Sequence, residues 1–272
     1  MNAWNPVAYE AYLVDVDGVL VRGSHPIPGA IEAFGKLQAQ GRTYIITNNS
    51  TRDRHSLAAY LATFGLQIET SQIVSSAYGA AQLLTARTGQ CTVLPIGETG
   101  LHKELQSAGH RITDLPDTAQ WVVVGMCRHL TYQLLADALR ALLSGAQLLA
   151  CNNDPTYPTP AGLLPGAGAM VGALRGMGFA PTHTIGKPSP DLYTLVADQL
   201  DTDASRMLMI GDRLDTDILG GNRFGADTLF VQSGVSAVED IAMLGIDPTW
   251  IAADLSSAMQ GHVQRPPSRP PA

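Results

Sequence analysis

Cysteine is scarce in this sequence, long apolar runs are missing, and basic residues are outnumbered. The three cysteines, Cys91, Cys127 and Cys151, stand far apart with no C-x-x-C pair. That excludes a disulfide framework and a structural zinc site, and predicts reduced, buried small hydrophobes. No apolar stretch reaches the roughly 18 to 20 residues needed to span a bilayer. The opening residues, Met1-Asn2-Ala3-Trp4-Asn5-Pro6, have neither the positive nor the apolar segment of a secretory signal. A soluble, cytoplasmic chain with no membrane partner is therefore expected. Lys and Arg number 17 against 24 Asp and Glu, for a formal charge of −7. Such a balance argues against a nucleic-acid polymer as partner, because phosphate backbones are gripped by clustered Lys and Arg. The 7 histidines are scattered without ligand spacing. An anionic small molecule would need a locally positive pocket, which a metal could supply.

What is present is ordinary globular material, 45% apolar and 15% charged in 272 residues, a length that leaves one or two domains open. Tyr12-Leu13-Val14 is an apolar run that stops abruptly at Asp15-Val16-Asp17-Gly18, as a buried strand followed by a polar turn does. Helical spacing of Ile31, Phe34 and Leu37 follows, Gly41 ends it, and Thr43-Tyr44-Ile45-Ile46 runs into Thr47-Asn48-Asn49-Ser50. This is a βαβ unit and predicts a parallel sheet. The spacing then predicts helices over 56–64, 76–88, 101–108, 131–143, 168–177, 190–200 and 216–224. Strands are predicted over 91–96, 121–126, 147–151, 207–210 and 228–231. Met207 and Met209, at period two before Gly211-Asp212, read as core. The Pro-rich end of the chain predicts a disordered tail over 263–272.

Ligands of open α/β sheets bind beyond the carboxyl ends of the strands, and three polar clusters sit there: Asp15/Asp17, Thr47/Asn48 and Asp212. Asp15 and Asp17, two apart where a strand ends, can address different atoms of one substrate, which permits one nucleophile and one acid. A carboxylate attacks phosphorus only if the negative charges of both partners are offset, which calls for Mg²⁺ and a cation. Asp212 supplies a further hard oxygen ligand, and Lys187 the cation. Taken singly, Asp-x-Asp-Gly is commonly an Asx turn and Gly-Lys-Pro a loop; their joint order at strand ends points to a site.

With these segments in view, the chain resembles the haloacid dehalogenase superfamily of phosphatases. Asp15-Val16-Asp17-Gly18-Val19-Leu20, Thr47-Asn48-Asn49-Ser50, Gly186-Lys187-Pro188-Ser189-Pro190 and Gly211-Asp212-Arg213-Leu214-Asp215-Thr216-Asp217 look like its four motifs in order. The second and fourth resemble its NagD-like branch in particular, which includes nitrophenylphosphatases, phosphoglycolate phosphatases and pyridoxal phosphate phosphatases. The resemblance implies a Mg²⁺-dependent phosphatase acting on small-molecule phosphate monoesters through an aspartyl-phosphate. It implies Asp15 as nucleophile and Asp17 as general acid, with Thr47 and the Asn48 backbone clamping phosphate beside Lys187. Asp15, the Asp17 carbonyl and Asp212 would hold the metal. Gly211 and Asp217 would support them, Asp217 by holding Lys187 or a metal-bound water, and Asp215 has a weaker role. Phosphatases of this superfamily carry a second aspartate where Asp17 stands and its haloalkanoate dehalogenases do not, so the resemblance disfavours dehalogenation. A phosphotransferase or mutase with the same intermediate, a receiver-like signalling domain and an inactive scaffold are the competing readings.

The chain from Thr47 to Lys187 is far longer than the one or two βα units a doubly wound core needs there, and the surplus of roughly 100 residues is domain-sized. The expected fold is thus α/β, a doubly wound parallel-sheet core over 1–79 and 181–262 with an α/β cap inserted over 80–180. The resembling branch carries its cap at that point, and cap-mediated homodimers occur in it. Asn152-Asn153-Asp154-Pro155-Thr156-Tyr157-Pro158-Thr159-Pro160 reads as a stiff loop that could present Asp154 and Tyr157 to the substrate, or as a rigid surface loop.

Overall fold

The computed structural model describes residues 4–159 and 162–266. Their contacts divide into two compact units. One takes in the chain up to Ile46, Tyr60–Ile73 and the chain from Lys187 onward; the other takes in Thr47–Ala59 and Val74–Gly186.

The first unit is built on a six-stranded sheet. Its strands follow the spatial order Trp250–Ala252, Asp227–Val231, Met207–Gly211, Ala11–Val14, Arg42–Thr47, Ile73–Ser75. Ala11–Val14 is parallel to both its neighbours, with Val14 opposite Ile210 on one side and Ile45 on the other. The three strands therefore end side by side, and Asp15 N continues the ladder by donating to Ile210 O at 3.0 Å. All four residues of Ala11–Val14 are buried, as in a parallel strand covered by helices on both faces. The Ala30–Gln40 helix supplies such cover through Ala33, Phe34 and Leu37.

The second unit carries a five-stranded sheet in the order His183–Thr184, Gln147–Ala150, Trp121–Val124, Thr92–Ile96, Arg111–Ile112, with parallel pairing throughout. Val122, Val124, Leu148, Cys127 and Ala138 form its core with Val171 and Leu174 of the Ala167–Gly176 helix. Cys91, Cys127 and Cys151 are free and buried.

Several expectations need correction. The segment 47–59 groups with the inserted chain: Met126 N donates to Ser50 Oγ at 3.0 Å, Gly100 N to Thr51 O at 3.1 Å, and Arg54 pairs with Glu104 at 3.3 Å. These contacts are remote in sequence, so spacing alone could not show them. The stiff loop is in part a hairpin, Thr156–Thr159 against Gly162–Pro165; Pro160 lies outside the described residues. The helix expected over 216–224 starts as a π turn, Leu214–Ile218, and only Leu219–Phe224 is α-helical. The expected tail starts too early, since Gln264 bridges to Ile251 and the Arg265 guanidinium lies 4.4 Å over the Trp250 ring. The remainder of that tail, 267–272, lies outside the described residues. No helix of the described residues is long and apolar enough to cross a membrane.

Candidate active site

Because the Ala11–Val14, Arg42–Thr47 and Met207–Gly211 strands stop together, the residues that follow them are delivered to one edge of the sheet. Asp15, Asp212 and Asp217 each bring a carboxylate oxygen within 4.8 Å of the others, and all three residues are buried. Lys187 lies among them, 3% exposed. Its Nζ donates to Asp15 Oδ1 at 2.6 Å and to the Ile46 carbonyl at 3.1 Å. It also stands 2.6 Å from Asp217 Oδ1, an ion pair off the hydrogen-bond direction. Asp217 reaches this position through the π turn: Asp217 N and Ile218 N both donate to Arg213 O, at 3.1 Å, so the extra residue swings the carboxylate inward. Arg213 N then donates to Asp217 Oδ2 at 3.1 Å, and the buried Tyr193 hydroxyl to the Asp217 carbonyl at 3.1 Å.

Asp212 Oδ2 accepts from Val235 N at 2.7 Å, whereas Asp212 Oδ1 is buried with no hydrogen-bond partner among the described residues. A buried carboxylate oxygen without a partner is costly. Three carboxylates against one ammonium also leave the pocket short of positive charge. Both facts fit a hard divalent cation that takes oxygen ligands. The electrostatics agree. Burial pushes the Asp212 carboxyl up to about 7, Asp217 adds to the rise, and the Val235 N–H opposes it. Burial likewise raises Asp15 well above the usual carboxylate range, with the Lys187 charge opposing. Burial would lower Lys187, but the Asp15 and Asp217 carboxylates outweigh it and hold the ammonium above an ordinary lysine.

Asp17 is exposed, in a turn where Gly18 N donates to Val21 O at 2.7 Å. Gly18 takes a φ of 86°, the left-handed region where a Cβ is strained, and there a Cβ would strike the Asp212 carboxylate. Gly211 is equally confined, since a Cβ would fall on the Asp217 side chain. Asp215 stays outside the cluster, on the surface, paired with Arg213 at 2.9 Å.

The second unit holds the other expected residues. Thr47 and Asn48 are buried, and Thr47 Oγ1 accepts from Asn49 N at 3.1 Å. Asp154 is bound to the Asn48 side chain, which donates Nδ2 to its two oxygens at 3.1 and 3.2 Å. Tyr157 lies on the hairpin; the Arg128 guanidinium binds Glu98 at 2.7 Å. Sequence reasoning missed Asn152, Ser76, Tyr193 and the Ser233-Gly234-Val235-Ser236 loop. That loop follows directly on the Asp227–Val231 strand, so the strand-end rule that found Asp15 could have found it.

The haloacid dehalogenase-like hydrolase family matches residues 12–111, and a HAD-hydrolase-like family matches residues 184–258. An acid sugar phosphatase of Staphylococcus saprophyticus is 33% identical over 254 residues, 93% of this chain and 97% of the relative. The p-nitrophenyl phosphatase from Archaeoglobus fulgidus superposes with a TM-score of 0.87 at 34% identity, covering 93% of this chain and 98% of that one. A glycerol phosphate phosphatase from Mycobacterium tuberculosis, solved in complex with magnesium, superposes with a TM-score of 0.87 at 36% identity, over 94% of this chain and 78% of that one. With catalytic-type carboxylates gathered at the sheet edge and these relatives spanning nearly its whole length, the chain belongs to the haloacid dehalogenase-like hydrolases and is a NagD-like phosphatase, a phosphoric monoester hydrolase.

Proposed function

We propose that this enzyme is a Mg²⁺-dependent phosphatase of small-molecule phosphate monoesters that works through an aspartyl-phosphate on Asp15. The observation that carries the reading is the Asp15 carboxylate, buried at the end of its strand with Oδ1 held by Lys187 at 2.6 Å. One oxygen is thereby fixed and its charge partly offset, so the carboxylate is oriented as a nucleophile. Asp15 attacks phosphorus, the ester P–O bond breaks, and Asp17 gives its proton to the departing oxygen. Asp17, now a base, takes a proton from water, which attacks the aspartyl-phosphate, releases phosphate and restores Asp15. Thr47 and the Asn48 backbone donate to the phosphoryl oxygens, Lys187 offsets their charge, and Asp217 holds Lys187 by its ion pair. Asp15, Asp212 and the Asp17 carbonyl would hold Mg²⁺, for which the unpartnered Asp212 Oδ1 is a ready ligand. Bound there, the ion would supply charge stabilisation at the phosphoryl group.

The names of the relatives, an acid sugar phosphatase and a glycerol phosphate phosphatase, support a sugar or polyol phosphate as substrate. Phosphate release from a panel of sugar, polyol, aryl and nucleotide monoesters, with Mg²⁺ and then with EDTA, tests this. Metal-dependent turnover with the highest kcat/KM on sugar or polyol esters is expected. Turnover undiminished by EDTA would refute the metal assignment, and a nucleotide preference would refute the substrate class.

A further inference from the structure

Within the second unit, the segment that leaves the Gln147–Ala150 strand touches both stretches of chain assigned to phosphate binding. Asn152 Nδ2 donates to the Asn48 carbonyl, which also accepts from the Ser76 hydroxyl at 2.7 Å. The N–H of the same peptide, on Asn49, donates to Thr47 Oγ1 at 3.1 Å. One peptide plane is therefore held at both ends. The Asn48 side chain is held separately by the two oxygens of Asp154, at 3.1 and 3.2 Å. At the same strand end the Cys151 carbonyl accepts from Gly186 N at 2.7 Å, and Gly186 leads directly into Lys187. A Cβ at Gly186 would come within 2.6 Å of Asn48 Oδ1 and 2.9 Å of Asn152 Cβ, so these parts are closely fitted.

The arrangement has chemical consequences. A carbonyl oxygen facing a bound phosphate would repel it, and two donors hold the Asn48 carbonyl to themselves. Thr47 Oγ1 accepts a hydrogen bond from Asn49 N–H, which leaves its own hydroxyl proton to be donated. Asp154 is engaged by the Asn48 side chain.

We propose that Asn152 and Asp154 are positioning residues for phosphate binding: Asn152 holds the Asn48 peptide and Asp154 the Asn48 side chain, and with them the Thr47 hydroxyl, in the orientation that presents donors to the phosphoryl group. The proposal rests on the phosphatase reading above and deepens it. Asp154 then acts alike on every substrate, whereas a residue that reads the leaving group would act unequally.

The test compares Asp154→Ala, Asp154→Asn and Asn152→Asp with the wild type. Kinetics on p-nitrophenyl phosphate, glycerol 3-phosphate and a hexose phosphate are combined with inhibition by inorganic phosphate and thermal melting. Asp154→Ala is expected to lower kcat/KM about ten- to hundredfold, by the same factor on all three esters, and to weaken phosphate inhibition in parallel. Asp154→Asn should recover most of the loss, because an amide oxygen still accepts from Asn48 Nδ2. Asn152→Asp should show a loss of its own on all three esters, because a carboxylate has no proton for the Asn48 carbonyl. A changed ranking of the esters with phosphate inhibition intact, or unchanged kinetics, would overturn the proposal. If Asp154→Ala only melts early, the Asn48→Ala/Asp154→Ala pair decides: a double variant no worse than its worse single parent supports joint action, and additive losses refute it. Wild type and Asp15→Asn are measured alongside. A wild type inert on every ester would sink the phosphatase reading, whereas an active wild type with unaffected Asn152 and Asp154 variants would sink only the positioning role.

Discussion

Around Asp15 the first unit buries three carboxylates against one ammonium, whereas around Asn48 the second unit gathers amides and hydroxyls with a single carboxylate, Asp154, already satisfied by Asn48. Both groups form at the carboxyl ends of parallel strands, so the topology is not what separates them. Charge is. The first cluster is incomplete as a set of protein groups, with an unpartnered Asp212 oxygen and carboxyls raised by burial. The second closes nearly all its hydrogen bonds internally. It follows that the first should respond strongly to a metal, to pH and to removal of a charge, while the second should respond to geometry alone.

The largest expected effect comes from Asp15→Asn. Hydrolysis should fall by at least about a thousandfold, because an amide is not a nucleophile toward phosphorus. The metal-free fold should not suffer equally, since Lys187 keeps Asp217 at 2.6 Å and one of the mutually repelling carboxylates is gone. Circular dichroism melts in EDTA, set beside kcat, check both halves. Activity at the wild-type level, or a variant that no longer folds, would break the contrast between a charge cluster built for chemistry and one built for stability.

A second, smaller effect concerns pH. The folded Asp212 carboxyl titrates at about 7, above its ordinary value of about 3.9 in the unfolded chain. A raised carboxyl favours folding while both states are protonated, and that contribution is lost as pH rises from about 4 through about 7. Asp15 is raised in the same sense. Metal-free protein should therefore lose stability between pH 5 and 8, on the order of a few kcal/mol. Mg²⁺ competes with protons for the same oxygens, so the rise in Tm on adding Mg²⁺ should be larger at pH 8 than at pH 5. A Mg²⁺ shift independent of pH would remove Asp212 from the metal site.

The same contrast shows what a sequence makes legible. The first cluster announces itself because apolar strands break abruptly into carboxylates at Asp15 and Asp212, and a strand's end fixes where its next residue stands. The Ile73–Ser75 and Trp250–Ala252 strands pass unseen, because three residues are too few to display a period. The inward turn of Asp217 depends on a π turn that interrupts the 3.6 spacing. The direction of Asp154 is set by a partner 106 residues away, and the packing of 47–59 with the inserted chain is equally remote. Residues placed by their own strand are readable from the sequence; residues placed by a distant hydrogen bond are not.

The smallest expected effect sharpens the comparison from outside both clusters. Asp215 lies two positions before Asp217 in sequence but on the surface, its side chain 48% exposed and paired with Arg213 at 2.9 Å. An exposed ion pair contributes about 0 to 1 kcal/mol. Arg213 nonetheless donates its backbone N–H to Asp217 Oδ2 at 3.1 Å, and its charge lowers the Asp212 carboxyl, so Asp215 reaches the site through Arg213. Because the N–H is fixed by the π turn and not by the guanidinium, Asp215→Asn should change kcat/KM by less than about threefold and leave Mg²⁺ dependence as it was. Measured Mg²⁺ titrations of activity would show it: a large shift in the midpoint would mean that charge on the surface reaches the buried cluster, and that the boundary between the two regimes lies farther out than the hydrogen bonds place it.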